Sequence, residues 1–274
     1  MTGVGICIRR SLEVNPLREP VLRSVIEHLQ FPRGSYGLDA GCGIGLQALL
    51  LADAVGPEGH ITGIDRDSES LAFGNESVVK AGYSNRITLC EGDAGNLPFD
   101  DNAFDWAWSA DCIGYPLGES TPYLKELVRV VRPGGIVAIL AYSSQQLLPG
   151  YPVLEARLNA TCSAYLPYIG GKEPELMFLR AMRWFRRAGL EEVAARTFVG
   201  DVQAPLGSGE RDALTSLFEM LWGERQPEAS SEDWKEYRRL CDPKSPDFIL
   251  DIPEYYAFFT YSMFRGRAPL RGKE

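Results

Sequence analysis

From residue 35 to residue 142, short apolar runs alternate with stretches of helical period, and this order leaves few folds open. Ser35-Tyr-Gly-Leu-Asp39, His60-Ile-Thr-Gly-Ile-Asp65, Arg86-Ile-Thr-Leu-Cys90, Phe104-Asp-Trp-Ala-Trp-Ser109 and the run 136–142 read as strands. Residues 46–55, 67–81 and 123–131 read as helices among them, the first closed by Gly56-Pro57 and the second capped by Asp67 or Ser68. Strands alternating with helices imply parallel strands joined by right-handed crossovers, and so a doubly wound α/β sheet.

The flanking parts differ. Residues 20–30 place Val21, Leu22, Val25, Ile26 and Leu29 on one helical face, with Pro20 in the first turn. Downstream, residues 154–165 and 176–188 read as helices and 191–199 as a strand. Residues 211–223 carry Leu214, Leu217, Phe218, Leu221 and Trp222 on one stripe, and 230–240 form a shorter helix. The run 255–264 is apolar on both alternating faces, as a strand buried on both sides requires. The chain therefore divides into a core of residues 1–200 with 253–274 and a helical insertion at 206–252. For Phe218 and Trp222 the plain reading is that they pack the insertion's own core.

The 274 residues suit one domain with an added subdomain. A net charge of −9 with scattered Lys and Arg argues against a nucleic-acid partner. Six widely spaced cysteines and two histidines offer neither a disulfide framework nor a metal site. No apolar run is long enough to cross a bilayer, and the first residues lack the pattern of a secretory signal. A cytoplasmic protein is expected.

Gly37-Leu-Asp-Ala-Gly-Cys-Gly-Ile-Gly45 places Gly41, Gly43 and Gly45 between a strand and a helix. Bare backbone at a helix N-terminus is a ligand-binding device. Leu46 stands where the dinucleotide fingerprint needs its third small residue, and Asp39 would repel a pyrophosphate. Asp65 ends the second strand, where a carboxylate can accept both ribose hydroxyls. Asp93 follows the third strand and could accept from an adenine amino group, with the Ala94 N–H near a ring nitrogen. Turn and cap roles are the plain alternatives for each acid alone. Asp39 could meet an ammonium directly or through water. Ribose, adenine and an α-amino group together describe S-adenosylmethionine.

Asp39-Ala-Gly-Cys-Gly-Ile-Gly45, Ile64-Asp65-Arg66, Gly92-Asp93-Ala94 with Leu97-Pro-Phe99, Phe104-Asp-Trp106 and Arg132-Pro-Gly-Gly135 occur in that order over residues 35–142. In this the chain resembles the class I, Rossmann-like S-adenosylmethionine-dependent methyltransferases, in the form found in small-molecule enzymes of ubiquinone and menaquinone biosynthesis. The whole is read as an α/β fold. Its doubly wound, mostly parallel seven-stranded sheet has an antiparallel C-terminal strand and an inserted helical lid. The resemblance implies a cofactor set of Asp39, Gly41, Gly43, Gly45, Asp65, Arg66, Asp93, Ala94 and Ser109, with Arg66 laid along the adenine. It also implies that Ser109-Ala-Asp-Cys-Ile-Gly-Tyr115 borders the methyl group. No Asn/Asp-Pro-Pro-Tyr run stands there, which disfavours amide or adenine nitrogens as acceptors. Asp111 and Tyr115 are candidates to orient a small-molecule acceptor, with helix capping and lid packing as their plain alternatives. The rival functions are methylation of a protein or RNA partner and a non-catalytic cofactor-binding module. The insertion is read as a lid over the acceptor, with a dimer contact as the alternative, so a homodimer stays open.

Overall fold

The apolar runs become strands β1 (Tyr36–Ala40), β2 (His60–Asp65), β3 (Ile87–Glu91), β4 (Phe104–Ala110), β5 (Val131–Gln146), β6 (Glu191–Gln203) and β7 (Tyr256–Arg267) in the computed structural model. It describes residues 3–114, 120–160, 174–223 and 230–270. The sheet order is β3-β2-β1-β4-β5-β7-β6. Strands β1 to β5 pair in parallel, and β7 runs antiparallel between β5 and β6. The order reverses between β1 and β4, so a crevice opens beyond their carboxyl ends.

The helices are α1 (Gly3–Leu29), α2 (Leu46–Val55), α3 (Ser68–Lys80), α4 (Thr121–Val130), α5 (Pro152–Ala160), α6 (Ala181–Arg187), α7 (Ser208–Trp222) and α8 (Ser231–Cys241). Helix α2 is flanked by Gly45 and Gly56, both at positive φ, and Asp67 caps α3 by accepting the Glu69 N–H at 3.2 Å. Strand β4 shows how the sheet divides the interior. Trp106 and Trp108 enter one buried layer with α1, α2, α7 and α8, while Ala107 enters the other with α4 and α6. Phe218 and Trp222 lie in the first of these layers, so the helices between β6 and β7 share the core of the sheet.

Three expectations need correction. Helix α1 does not begin near Pro20; it spans Gly3–Leu29 with Pro16 and Pro20 inside. Each interior proline costs about 3 kcal/mol. Val14, Leu17, Val21, Leu22, Val25, Ile26 and Leu29 are all buried along one stripe, and at about 1.5–3 kcal/mol per side chain this outweighs that cost. Residues 176–188 are not one helix. Short 3-10 turns at Pro174–Leu176 and Phe178–Arg180 precede α6, because the Trp184 indole donates to Glu175 O at 2.8 Å and Phe178 packs edge-on against Phe264. Strands β5 and β6 outrun their predicted ends, since β7 pairs with them as far as Gln146 and Gln203. Residues 161–165 of the predicted helix over 154–165 lie outside the described residues.

Candidate active site

The glycine loop is shaped by its own backbone. Gly41, Gly43 and Gly45 have φ of 80°, 50° and 74°, values that L-residues with side chains seldom adopt. Gly41 and Cys42 donate to Ile64 O at 2.8 and 3.1 Å, which folds the loop onto β2. A Cβ on Gly41 would overlap the Cys112 thiol, whereas one on Gly43 would meet nothing within 4 Å. The open side of the loop is therefore at Gly43.

Asp65 accepts the Gly43 N–H through Oδ2 at 2.8 Å and the Asp67 N–H through Oδ1 at 3.0 Å. A carboxylate oxygen has two acceptor sites, so each oxygen keeps one. Asp39 has no exposed surface, and neither of its oxygens finds a hydrogen-bond partner among the described residues. Burial, reinforced by Asp65, pushes its carboxyl up to about 7. A cation placed nearby would relieve this, and an unpartnered buried acid is what an ammonium group calls for. Asp93 accepts the Gly95 N–H at 2.7 Å and pairs with Arg66 at 2.5 Å; Arg66 also reaches Tyr123.

Three hollows follow one another along the carboxyl ends of the strands. The first, about 200 Å³, is lined by Asp65, Arg66, Asp93, Ala94, Tyr123 and their neighbours. The second, about 390 Å³, runs over Gly41, Gly43, Gln47 and Asp111, and shares Gly41, Asp65 and Cys112 with the first. The third, about 370 Å³, is walled by Val14, Leu17, Leu217, Leu221 and Phe259, and shares Ser11, Arg18 and Asp111 with the second. The Cys112 thiol at the first junction is pushed up to about 11, chiefly by burial and then by Asp65 and Asp39, so it stays protonated at neutral pH.

Of the predicted residues, Gly41, Gly43, Asp65, Arg66, Asp93, Ala94 and Asp111 line this run of hollows. Asp39 lies beneath it and Gly45 sits at the start of α2. Ser109 is set behind it: 1% exposed, its hydroxyl accepts the Ile113 N–H at 3.3 Å and braces the turn after β4. Tyr115 lies outside the described residues. Among the described residues, Asp111 caps no helix. Held at φ 51°, it accepts from Arg18 at 2.7 Å and from the Tyr142 N–H at 3.0 Å. Sequence reasoning missed Arg18, which interrupts the apolar stripe of α1 and donates through Nε to Tyr261 of β7 at 3.1 Å. Its signal was a charged residue amid Val14, Leu17, Val21 and Leu22, hidden by the misplaced start of the helix.

A family described as a methyltransferase domain matches residues 33–189. The demethylmenaquinone methyltransferase of Bacillus pumilus (strain SAFR-032) is 36% identical over 190 residues, covering 63% of this chain and 77% of that protein. The enzyme of the same name from Staphylococcus aureus (strain JH9) is 32% identical over 209 residues, covering 69% and 82%.

The chain belongs to the class I S-adenosylmethionine-dependent methyltransferases.

As a methyltransferase of this family it is an enzyme that takes S-adenosylmethionine as donor and methylates a small-molecule acceptor. A methyltransferase from Aquifex aeolicus, dependent on the same donor, shares the fold, with a TM-score of 0.52 at 22% identity over 69% of this chain and 89% of that one. The segment that matches the family holds the glycine loop and the acids at 39, 65 and 93. The third hollow is built differently. Apart from Asp111 and Tyr142, its lining residues come from α1, α7 and β7, outside residues 33–189 of the methyltransferase domain. Among the described residues of the methyltransferase, no helix is long and apolar enough to cross a membrane.

Proposed function

We propose that the first two hollows hold S-adenosylmethionine and that the third holds a small, largely apolar acceptor. One observation carries this reading: the second and third hollows share the wall Ser11, Arg18 and Asp111, so a group in one can face a group in the other. Asp65 would hold the ribose hydroxyls with its two remaining acceptor sites, and Asp39 would meet the α-ammonium directly or through water. Asp93, Ala94 and Arg66 would hold the adenine, while Gly41, Gly43 and Gly45 keep the loop free of side chains. Ser109 contributes by bracing the turn that carries Cys112 and Ile113.

S-adenosylmethionine, when bound, supplies an already activated methyl group. What remains for the chain is to align the acceptor and keep water out. The aliphatic wall formed by Val14, Leu17, Leu217 and Leu221 suits both tasks. Asp111 would orient a polar group of the acceptor through the acceptor sites that its carboxylate keeps beside Arg18 and the Tyr142 N–H. The helices of residues 206–252 act as the acceptor lid, since Leu217, Met220 and Leu221 of α7 wall the hollow. The net charge of −9 favours a small molecule over a nucleic acid.

Isothermal titration with S-adenosylhomocysteine tests the cofactor half. Asp65→Ala should weaken binding more than tenfold; equal affinity in the variant overturns the placement. Methyl transfer to demethylmenaquinone, the acceptor in the relatives' name, is the first turnover to assay.

A further inference from the structure

The third hollow is apolar along most of its wall, yet it encloses a cluster of charge. Its ionised lining consists of Arg10 and Arg18 against Asp111, two positive groups and one negative, in a chain of net charge −9. Arg10 is exposed at the rim. Arg18 is deeper, its side chain 18% exposed. Burial alone would lower its guanidinium, but Tyr261 and Asp111 outweigh that and leave it raised. Burial also pushes the Tyr261 phenol up, so its hydroxyl adds no negative charge.

The hydrogen-bond inventory of Arg18 is incomplete. A guanidinium carries five N–H groups. Nε donates to the Tyr261 hydroxyl and Nη2 to Asp111 Oδ2. Five less two leaves three donors without a partner among the described residues, on a side chain that lines both the second and the third hollow. The two bonds fix the guanidinium plane between β7 and the turn after β4. An arginine fixed in this way is prepared for a planar anionic oxygen group. Tyr261 lines the third hollow and not the second, which anchors Arg18 toward the acceptor side.

We propose that Arg18, held by Asp111 and Tyr261, is the specificity-determining residue for the acceptor, and that it selects an apolar molecule bearing an acidic oxygen, a carboxylate or an ionised enol or phenol. This rests on the reading that the third hollow takes the acceptor. Asp111 already neutralises Arg18 and Arg10 stands in solvent at the rim, so the selection comes from the three remaining guanidinium donors, which an anionic oxygen of the occupant can accept. A neutral hydrocarbon would leave the three donors unsatisfied, a cost that discriminates against it.

The test uses the full chain saturated with S-adenosylhomocysteine and titrated with two probes of one shape, 2-naphthoate and 2-naphthalenemethanol. Wild type should bind the acid at least tenfold more tightly than the alcohol. In Arg18→Met combined with Asp111→Asn, which removes both charges and so leaves no lone buried ion, the preference should fall below twofold. Arg18→Lys should keep part of it. Affinity for S-adenosylhomocysteine should stay within twofold throughout. If wild type binds acid and alcohol equally, the proposal fails while the hollow remains an acceptor site. If neither probe binds, the acceptor reading fails with it. If the double variant loses S-adenosylhomocysteine affinity tenfold, Arg18 serves the carboxylate of the donor and the proposal is overturned.

Discussion

The Asp65 carboxylate accepts the Gly43 N–H over 2.8 Å, and this bond ties the glycine loop after β1 to the end of β2. The same carboxylate accepts the Asp67 N–H, so it shapes the loop and the start of α3 together. Asp65→Asn keeps the size but offers one acceptor oxygen where two N–H groups need one each. A lost or mismatched bond of this kind costs about 1–3 kcal/mol. The Asn variant should melt several degrees lower and bind S-adenosylhomocysteine at least tenfold more weakly, as thermal melts and titration calorimetry would read. An unchanged melt with normal affinity would show that the bond shapes nothing.

Asp39 makes stability depend on pH. Its carboxyl is raised to about 7 from an ordinary value near 4, chiefly by burial. Between these values the folded chain keeps a proton that the unfolded chain has released, so stability falls as pH rises from about 4 to 7 and levels off above. The fall is on the order of 4 kcal/mol. Urea unfolding at pH 5 and pH 8 should show it, and Asp39→Asn should remove this component of the slope. Binding of a ligand with an ammonium group should strengthen with pH over the same window in wild type and lose that dependence in the variant.

Two glycines of one strand-turn unit should respond in opposite ways. A Cβ on Gly37 would overlap the buried Trp106 ring, while one on Gly43 meets open space. Gly37→Ala should therefore lower stability by several kcal/mol, beyond ordinary overpacking costs of about 1–3 kcal/mol, because the ring that must move is stacked on Phe31 at 3.8 Å. Gly43→Ala carries only the strain of its positive φ, about 1 kcal/mol, but intrudes on the second hollow. It should fold and bind S-adenosylhomocysteine poorly. Paired melts and titrations distinguish the two outcomes.

Trp108 Nε1 donates to Gln47 Oε1 at 2.9 Å within the core, where Gln47 forms part of the first turn of α2. Gln47→Leu would leave the indole N–H buried and unpaired, which costs about 1–3 kcal/mol. Chemical denaturation should show that loss, and Trp108→Phe in the Leu background should restore much of it by removing the stranded donor.

The central strands were legible because their signals are local. Leu38, Ile61, Ile64 and Val137 sit in short apolar runs next to glycine turns, and the acids at 39, 65 and 93 fall at strand ends for the same reason. What escaped the sequence depends on distant partners. The stripe that carries α1 through Pro16 and Pro20 is stabilised by packing against α7 and β6. Arg18 acquires its role from Tyr261, 243 positions away. Ser109 was placed in the groove by its position at the carboxyl end of β4, but strand alternation turns its side chain to the other layer, toward Ile113. The 3-10 turns before α6 follow from one indole bond to Glu175 O that no period could announce.

The position of β7 also governs how the molecule comes into being. Among the described residues, strand β6 is hydrogen-bonded in the sheet only to β7, and β7 follows every other described strand. During synthesis β1 to β5 can assemble as they emerge, and the loop over Gly43 with them. Strand β6 must wait unpaired while α7 and α8 are made. Only when Tyr256–Arg267 leaves the ribosome can β6 dock, and only then does Tyr261 reach Arg18 on α1, a helix made before any of these strands. Closure of so long a loop is slow relative to local pairing. The hollow over the glycine loop is thus built from strands made before β6, while the hollow around Arg18 waits for β7.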